Sequence, residues 1–173
     1  QTLALNQNFK VTAQLAAAEA VDYTEAGDMG IDLDRLSGKV PGYFDDVRQI
    51  RDKYKADFVH LIIRGSGDSC GIGWLLDPKD PGSADWGFSL SDRDCAVNNF
   101  SFIHELGHNL GLNHDRAVVD DATSQDFNYG YIAFDKGIRT VMAYNNACAE
   151  KKKNCRRLPL FSSPYIKVQG AAM

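Results

Sequence analysis

One segment constrains this chain more than any other: His104-Glu105-Leu106-Gly107-His108-Asn109-Leu110-Gly111-Leu112-Asn113-His114-Asp115. On a helix through its first half, His104 and His108 stand one turn apart and share a face. Two imidazoles at that spacing bind one zinc ion at ~2.0–2.1 Å. Glu105, one residue on, lies beside the metal rather than on it, where a carboxylate takes a proton from the attacking water instead of acting as a ligand. Gly111 permits a sharp turn with positive φ that ends the helix. The chain then returns His114 as the third ligand. Three protein ligands leave a position open for water and substrate, which marks a catalytic rather than a structural site. Asn98 or Asn99 is the expected cap at the start of the helix. His60, the remaining histidine of four, falls in an expected strand and reads as a packing or surface group, not a ligand.

The rest of the chain must build a frame around that segment. Its 173 residues suit one domain, and a chain of this size buries roughly two-thirds of its unfolded surface. Apolar residues at 44% and charged residues at 24% are ordinary globular usage. The net charge of −4 provides no basic field for nucleic acid. No stretch reaches the ~20 apolar residues of a membrane-spanning helix. We therefore expect neither a nucleic-acid nor a membrane partner. The four cysteines form no Cys-x-x-Cys pair, so two disulfides in an oxidising compartment are the better reading, with four free buried thiols as the alternative. Of the three pairings, Cys70–Cys95 and Cys148–Cys155 each close a modest loop on one side of the histidine segment.

Periodicity sketches an α/β first half. Between Phe9 and Val21 apolar and polar residues alternate, so a strand is expected there in spite of the alanines. Asp32 to Leu36 is a short helix, and Phe44, Val47, Ile50 and Tyr54 recur at the spacing of an amphipathic helix. Strands are expected over Asp57 to Ile63, Ile72 to Leu76 and Trp86 to Leu90. After Gly111 the chain is rich in Asn, Asp and Gly and reads as irregular. The many Asp and Asn residues between Asp115 and Asn128 leave a calcium site open, but none has a specific ligand spacing and no such site is assigned.

The histidine segment resembles the signature of the metzincin zinc endopeptidases. Thr140-Val141-Met142-Ala143-Tyr144 is similar to the methionine-containing turn of that family, the Met-turn, in which Met142 would be an apolar floor for the imidazoles. In astacin-like and serralysin-like members a tyrosine at the offset of Tyr144 reaches the zinc or the oxyanion; a packed aromatic is the plainer alternative. The resemblance is closer to bacterial reprolysin-like proteins of the peptidyl-Asp type. It is carried by Val21-Asp22-Tyr23-Thr24-Glu25, Asp92-Arg93-Asp94-Cys95-Ala96, Phe100 to Asp115, Arg139 to Tyr144 and Leu160-Phe161-Ser162-Ser163-Pro164. Asp115 would then brace the local backbone without touching the metal.

The resemblance implies one catalytic domain over 1–173, with an upper subdomain of about 1–111 and a lower one of about 112–173 holding the Met-turn. It implies a twisted, mostly parallel sheet with an antiparallel edge strand, beside the active-site helix. Against the family pattern the domain looks trimmed at both ends, and any targeting segment is already gone before Gln1. The implied protein is a secreted zinc endopeptidase made with an inhibitory propeptide and acting as a monomer on protein or peptide substrates. An extended substrate would pair with the segment Gly71-Ile72-Gly73-Trp74-Leu75, whose small glycines would let a peptide backbone approach. Cleavage before acidic residues would need a cation, for which Arg139, Lys151, Lys152, Lys153, Arg156 and Arg157 are candidates. Two other functions stay open on the residues alone: a narrow-specificity toxin protease, and a zinc-stabilised binding module without catalysis. An intact Glu105 argues against the second, since a structural site needs no base.

Overall fold

The computed structural model describes residues 12–64, 69–119 and 128–172. The chain divides into two compact units, Gln14–Gly111 and Gln1–Ala13 with Leu112–Met173.

In the first unit, helix α1 (Met29–Leu36) begins at Asp28, whose carboxylate accepts from the Gly30 and Ile31 amides at 2.8 and 3.1 Å. That contact satisfies two amides the first turn would otherwise orphan. Helix α2 (Val47–Tyr54) ends at Lys55 in the left-handed conformation. A three-stranded sheet has the order β1 (Val59–Ile63), β3 (Phe88–Asp92), β2 (Gly71–Gly73). β1 runs parallel to β3, and β2 runs antiparallel to it at the edge. The expected mostly parallel sheet is thus one parallel and one antiparallel pair among the described residues.

Alternation along β3 sorts the two faces of this sheet. Phe88 and Leu90, fully buried, join Met29, Leu33, Leu36, Phe44, Val47 and Ile63 in the core against the two helices. Ser89 and Ser91, equally buried, face the other way. There, helix α4 (Ser101–Asn109) follows the short helix α3 (Arg93–Asn98). The small serines and the glycines of β2 let α4 lie close to the sheet.

Two expectations need correcting. Residues 12–21 form no strand, and Leu15 is 78% exposed. An alternating pattern is stable as a strand only against a partner and a core face, and this segment has neither among the described residues. Residues 9–11 of that expected strand lie outside the described residues. Asn98 and Asn99 do not start the histidine helix. Asp92 caps α3, Asn99 closes it, and Phe100 at φ 59° makes the break before α4. Asparagine suits a helix end as well as a start, so composition did not distinguish the two.

The second unit is irregular, as expected after Gly111. β4 (Asn113–Asp115) pairs in parallel with β5 (Tyr129–Gly130). β6 (Ile132–Ala133), β7 (Ile138–Arg139) and β8 (Arg156–Arg157) form a small sheet. Helix α5 (Asn146–Glu150) lies between β7 and β8 in the chain. Ala133, Ile138 and Leu158 make this unit's own core, with Leu160, Ile166 and Val168 packed on it. Disulfides join Cys70 to Cys95 and Cys148 to Cys155. No helix among the described residues is long and apolar enough to cross a membrane.

Candidate metal centre

Helix α4 is fastened to the sheet at its C-terminal end. The Asn109 amide donates to Trp74 O at 2.9 Å and to Phe88 O at 3.1 Å, and Leu76 N donates to His108 O at 3.1 Å. Asn109 is 3% exposed, and its amide ties together the backbone just past β2, at Trp74, and on β3, at Phe88. His104, Glu105 and His108 are buried on this anchored helix. The imidazoles of His104 and His108 lie edge to face with centroids 4.9 Å apart.

Gly111 has φ 79°, as the turn requires. A Cβ there would also lie 2.9 Å from Pro78 Cδ and 3.2 Å from Leu76 O. Past this turn β4 carries His114. His104, His108 and His114 each offer a ring nitrogen, and these nitrogens lie within 4.8 Å of one another. A donor set of three imidazoles fits zinc, and leaves a coordination position for a non-protein ligand. Burial pushes the His114 pKa down and the nearby Arg157 charge adds to this, against an upward pull from Asp115. The net direction favours the neutral ring, the form that ligates metal.

Asp115 braces the backbone. Its carboxylate accepts from Ala117 N at 3.1 Å and from Tyr144 N at 2.8 Å. The second bond holds the segment after a tight turn at Thr140–Ala143, closed by Ala143 N donating to Thr140 O. Met142 is fully buried in this turn. Gly130 underlies it: a Cβ there would fall 2.6 Å from Ala143 N and 2.8 Å from Met142 C. The Tyr144 ring lies 4.3 Å from that of His114 and is 39% exposed.

Arg139 and Arg157 are register neighbours on β7 and β8. Both guanidinium groups donate to carbonyls in or beside the turn. Arg139 reaches Ala143 O and, at 3.1 Å, Cys155 O. Arg157 reaches Val141 O through Nε and Nη2, at 2.8 and 2.5 Å. Burial lowers the Arg139 pKa, with Asp115 opposing. Lys151 and Lys153 are engaged elsewhere, one over the Phe134 ring and one donating to Phe134 O.

Of the expected substrate segment, Gly71, Ile72 and Gly73 form β2, at the sheet's edge. Trp74 and Leu75 follow it. Lys39 Nζ lies 3.7 Å from the Trp74 ring centroid, and Leu75 is half exposed. His60 bonds Ser89 Oγ and Ser91 Oγ, each at 2.8 Å, and so takes a packing role. Residues 120–127, which hold most of the Asp- and Asn-rich stretch, lie outside the described residues. Asn109 and Gly130 were not singled out from sequence. Asn109 carried a weak signal, a polar residue on the helix's apolar side; Gly130 carried none.

Known proteins match this chain along most of its length. A model of metallo-peptidase family M12 matches residues 2–161. A peptidyl-Asp metalloendopeptidase of Stenotrophomonas maltophilia strain K279a is 34% identical over 98% of this chain and 39% of its own length. One from Xanthomonas campestris is also 34% identical, over 98% of this chain and 38% of its own. A third, from Pseudomonas fragi, is 28% identical over 92% of this chain and 79% of its own. The chain thus spans about two-fifths of the length of the first two relatives.

Proposed function

Because this chain belongs to metallopeptidase family M12, we propose that it is a secreted zinc endopeptidase with Glu105 as general base. The observation that carries this reading is the group of three histidine ring nitrogens, with Glu105 buried on the same helix α4 that carries two of those histidines. Zinc held by His104, His108 and His114 would supply Lewis-acid polarisation of the scissile carbonyl and a water of lowered pKa. Glu105 takes the proton from the attacking water and passes it to the leaving amine. Tyr144, ring against ring with His114, donates a hydrogen bond to the tetrahedral oxygen. Thr140–Ala143, with buried Met142, serves as the Met-turn. Two disulfides suit an extracellular compartment. Synthesis with an inhibitory propeptide and action as a monomer belong to the same reading.

The substrate is a protein or peptide chain laid along β2, over Gly71 to Leu75, and cut on the amino side of acidic residues. The names of the relatives support the acidic preference. Among the cations, Arg157 is assigned to read the acid: it is held beside the turn through Val141 O, and a guanidinium matches a carboxylate. Arg139 supports the same wall through Ala143 O and Cys155 O.

A peptide library tests this. The protein should cleave before Asp, and a chelator should abolish cleavage. Arg157→Gln should lower the preference for Asp over Asn by about tenfold or more, the worth of one charge-assisted contact. Cleavage before large apolar residues, or an unchanged preference in the variant, contradicts the reading.

A further inference from the structure

We propose that Gly71 is a positioning residue for Glu105: the absence of a side chain at 71 is what seats the carboxylate. This rests on the reading of Glu105 as general base. Gly71 is not among the glycines with positive φ, so backbone conformation does not demand glycine there. Space does. A Cβ on Gly71 would lie 2.7 Å from both Cγ and Oε1 of Glu105 and 3.0 Å from Cδ. Non-bonded carbon atoms rest at about 3.5–4.0 Å. The carboxylate therefore occupies the space that any side chain at 71 would take.

Gly73 does something different. Its Cβ would lie 3.0 Å from Glu105 O and 3.0 Å from Ser89 Cβ. That collision is with the main chain of α4 and with β3, so Gly73 sets the spacing between helix and sheet. Gly71 opposes Ser91 and Gly73 opposes Ser89 across the ladder. The strand is held at this height by Asp92 N donating to Cys70 O at 3.0 Å and by the Cys70–Cys95 disulfide. A methyl at 71 thus cannot be relieved by moving the strand. It is relieved by rotating Glu105, which leaves the fold intact and moves the base.

The test uses the zinc-loaded protein with four variants: Gly71→Ala, Gly73→Ala, Glu105→Ala and the double variant Gly71→Ala/Glu105→Ala. Zinc content, kcat, KM on an Asp-containing peptide, and Tm are measured. Gly71→Ala should keep its zinc and lose about 10²-fold in kcat, the usual cost of misplacing a reacting group by about 1 Å, over and above any change in KM from the substrate strand. Gly73→Ala should lower Tm. In the Glu105→Ala background Gly71→Ala should cost no Tm, because the colliding atoms are gone. If Gly71→Ala alone fails to fold, folding of the double variant supports the proposal, and failure of both overturns it. An unchanged kcat in Gly71→Ala overturns it, as does a raised KM with kcat intact, which would assign Gly71 to the substrate. Wild-type turnover in Glu105→Ala would instead overturn the general-base reading itself, and Gly71 with it.

Discussion

Adjacent positions on α4 carry unlike roles because a helix turns 100° per residue. His104 and His108 fall on one face and converge with His114. Glu105 turns toward the sheet, where Gly71 and Gly73 receive it. His60 shows a different outcome for a histidine on the same side of the sheet. Both its ring nitrogens are spent on Ser89 and Ser91, and burial holds its pKa down to about 4. The unfolded chain has its histidine pKa near 6.5. Between those values the unfolded state binds the extra proton, so His60 stabilises the fold fully above about pH 6.5 and loses that contribution as pH falls toward 4. Urea unfolding at pH 6.5 and pH 5 should therefore differ more in the wild type than in His60→Gln, by about 1.5 kcal/mol. Equal losses in the two proteins would place the acid sensitivity elsewhere.

At the scale of elements, α4 works only because it is anchored. Asn109→Ala should cost about 1–3 kcal/mol in chemical denaturation, since Trp74 O and Phe88 O each lose a buried donor. A loss below about 0.5 kcal/mol would mean that the helix is held by other contacts. How much of this could be read in advance follows the range of the interactions. The three histidines and Gly111 are spaced along one local segment, so helix periodicity and glycine conformation placed them. The short helix over Asp32 to Leu36 and the amphipathic one around Val47 and Ile50 were legible for the same reason. The strand expected over Phe9 to Val21 was not, because alternation says nothing about whether a partner strand exists. Gly71 looked like clearance for a substrate, and its nearest neighbour is Glu105. That contact depends on how β2 and α4 stack, a long-range matter that spacing along the chain does not encode. Gly130 under the Met142 turn was hidden in the same way.

For the whole molecule, membership of metallopeptidase family M12 and the histidine group both support the proposed metal-dependent peptidase. The small sheet, its serine and glycine face and the Asn109 anchor hold α4. Asp115, the Thr140–Ala143 turn and the two arginines order the segment around His114 and Tyr144. The central claim is that a buried carboxylate beside three ligands does the proton transfer. The most direct measurement compares wild type with Glu105→Ala for bound zinc and for cleavage of an Asp-containing peptide. The account predicts equal zinc in the two proteins and a loss on the order of 10²–10⁴-fold or more in kcat for the variant. Wild-type turnover in a zinc-loaded Glu105→Ala protein would contradict it.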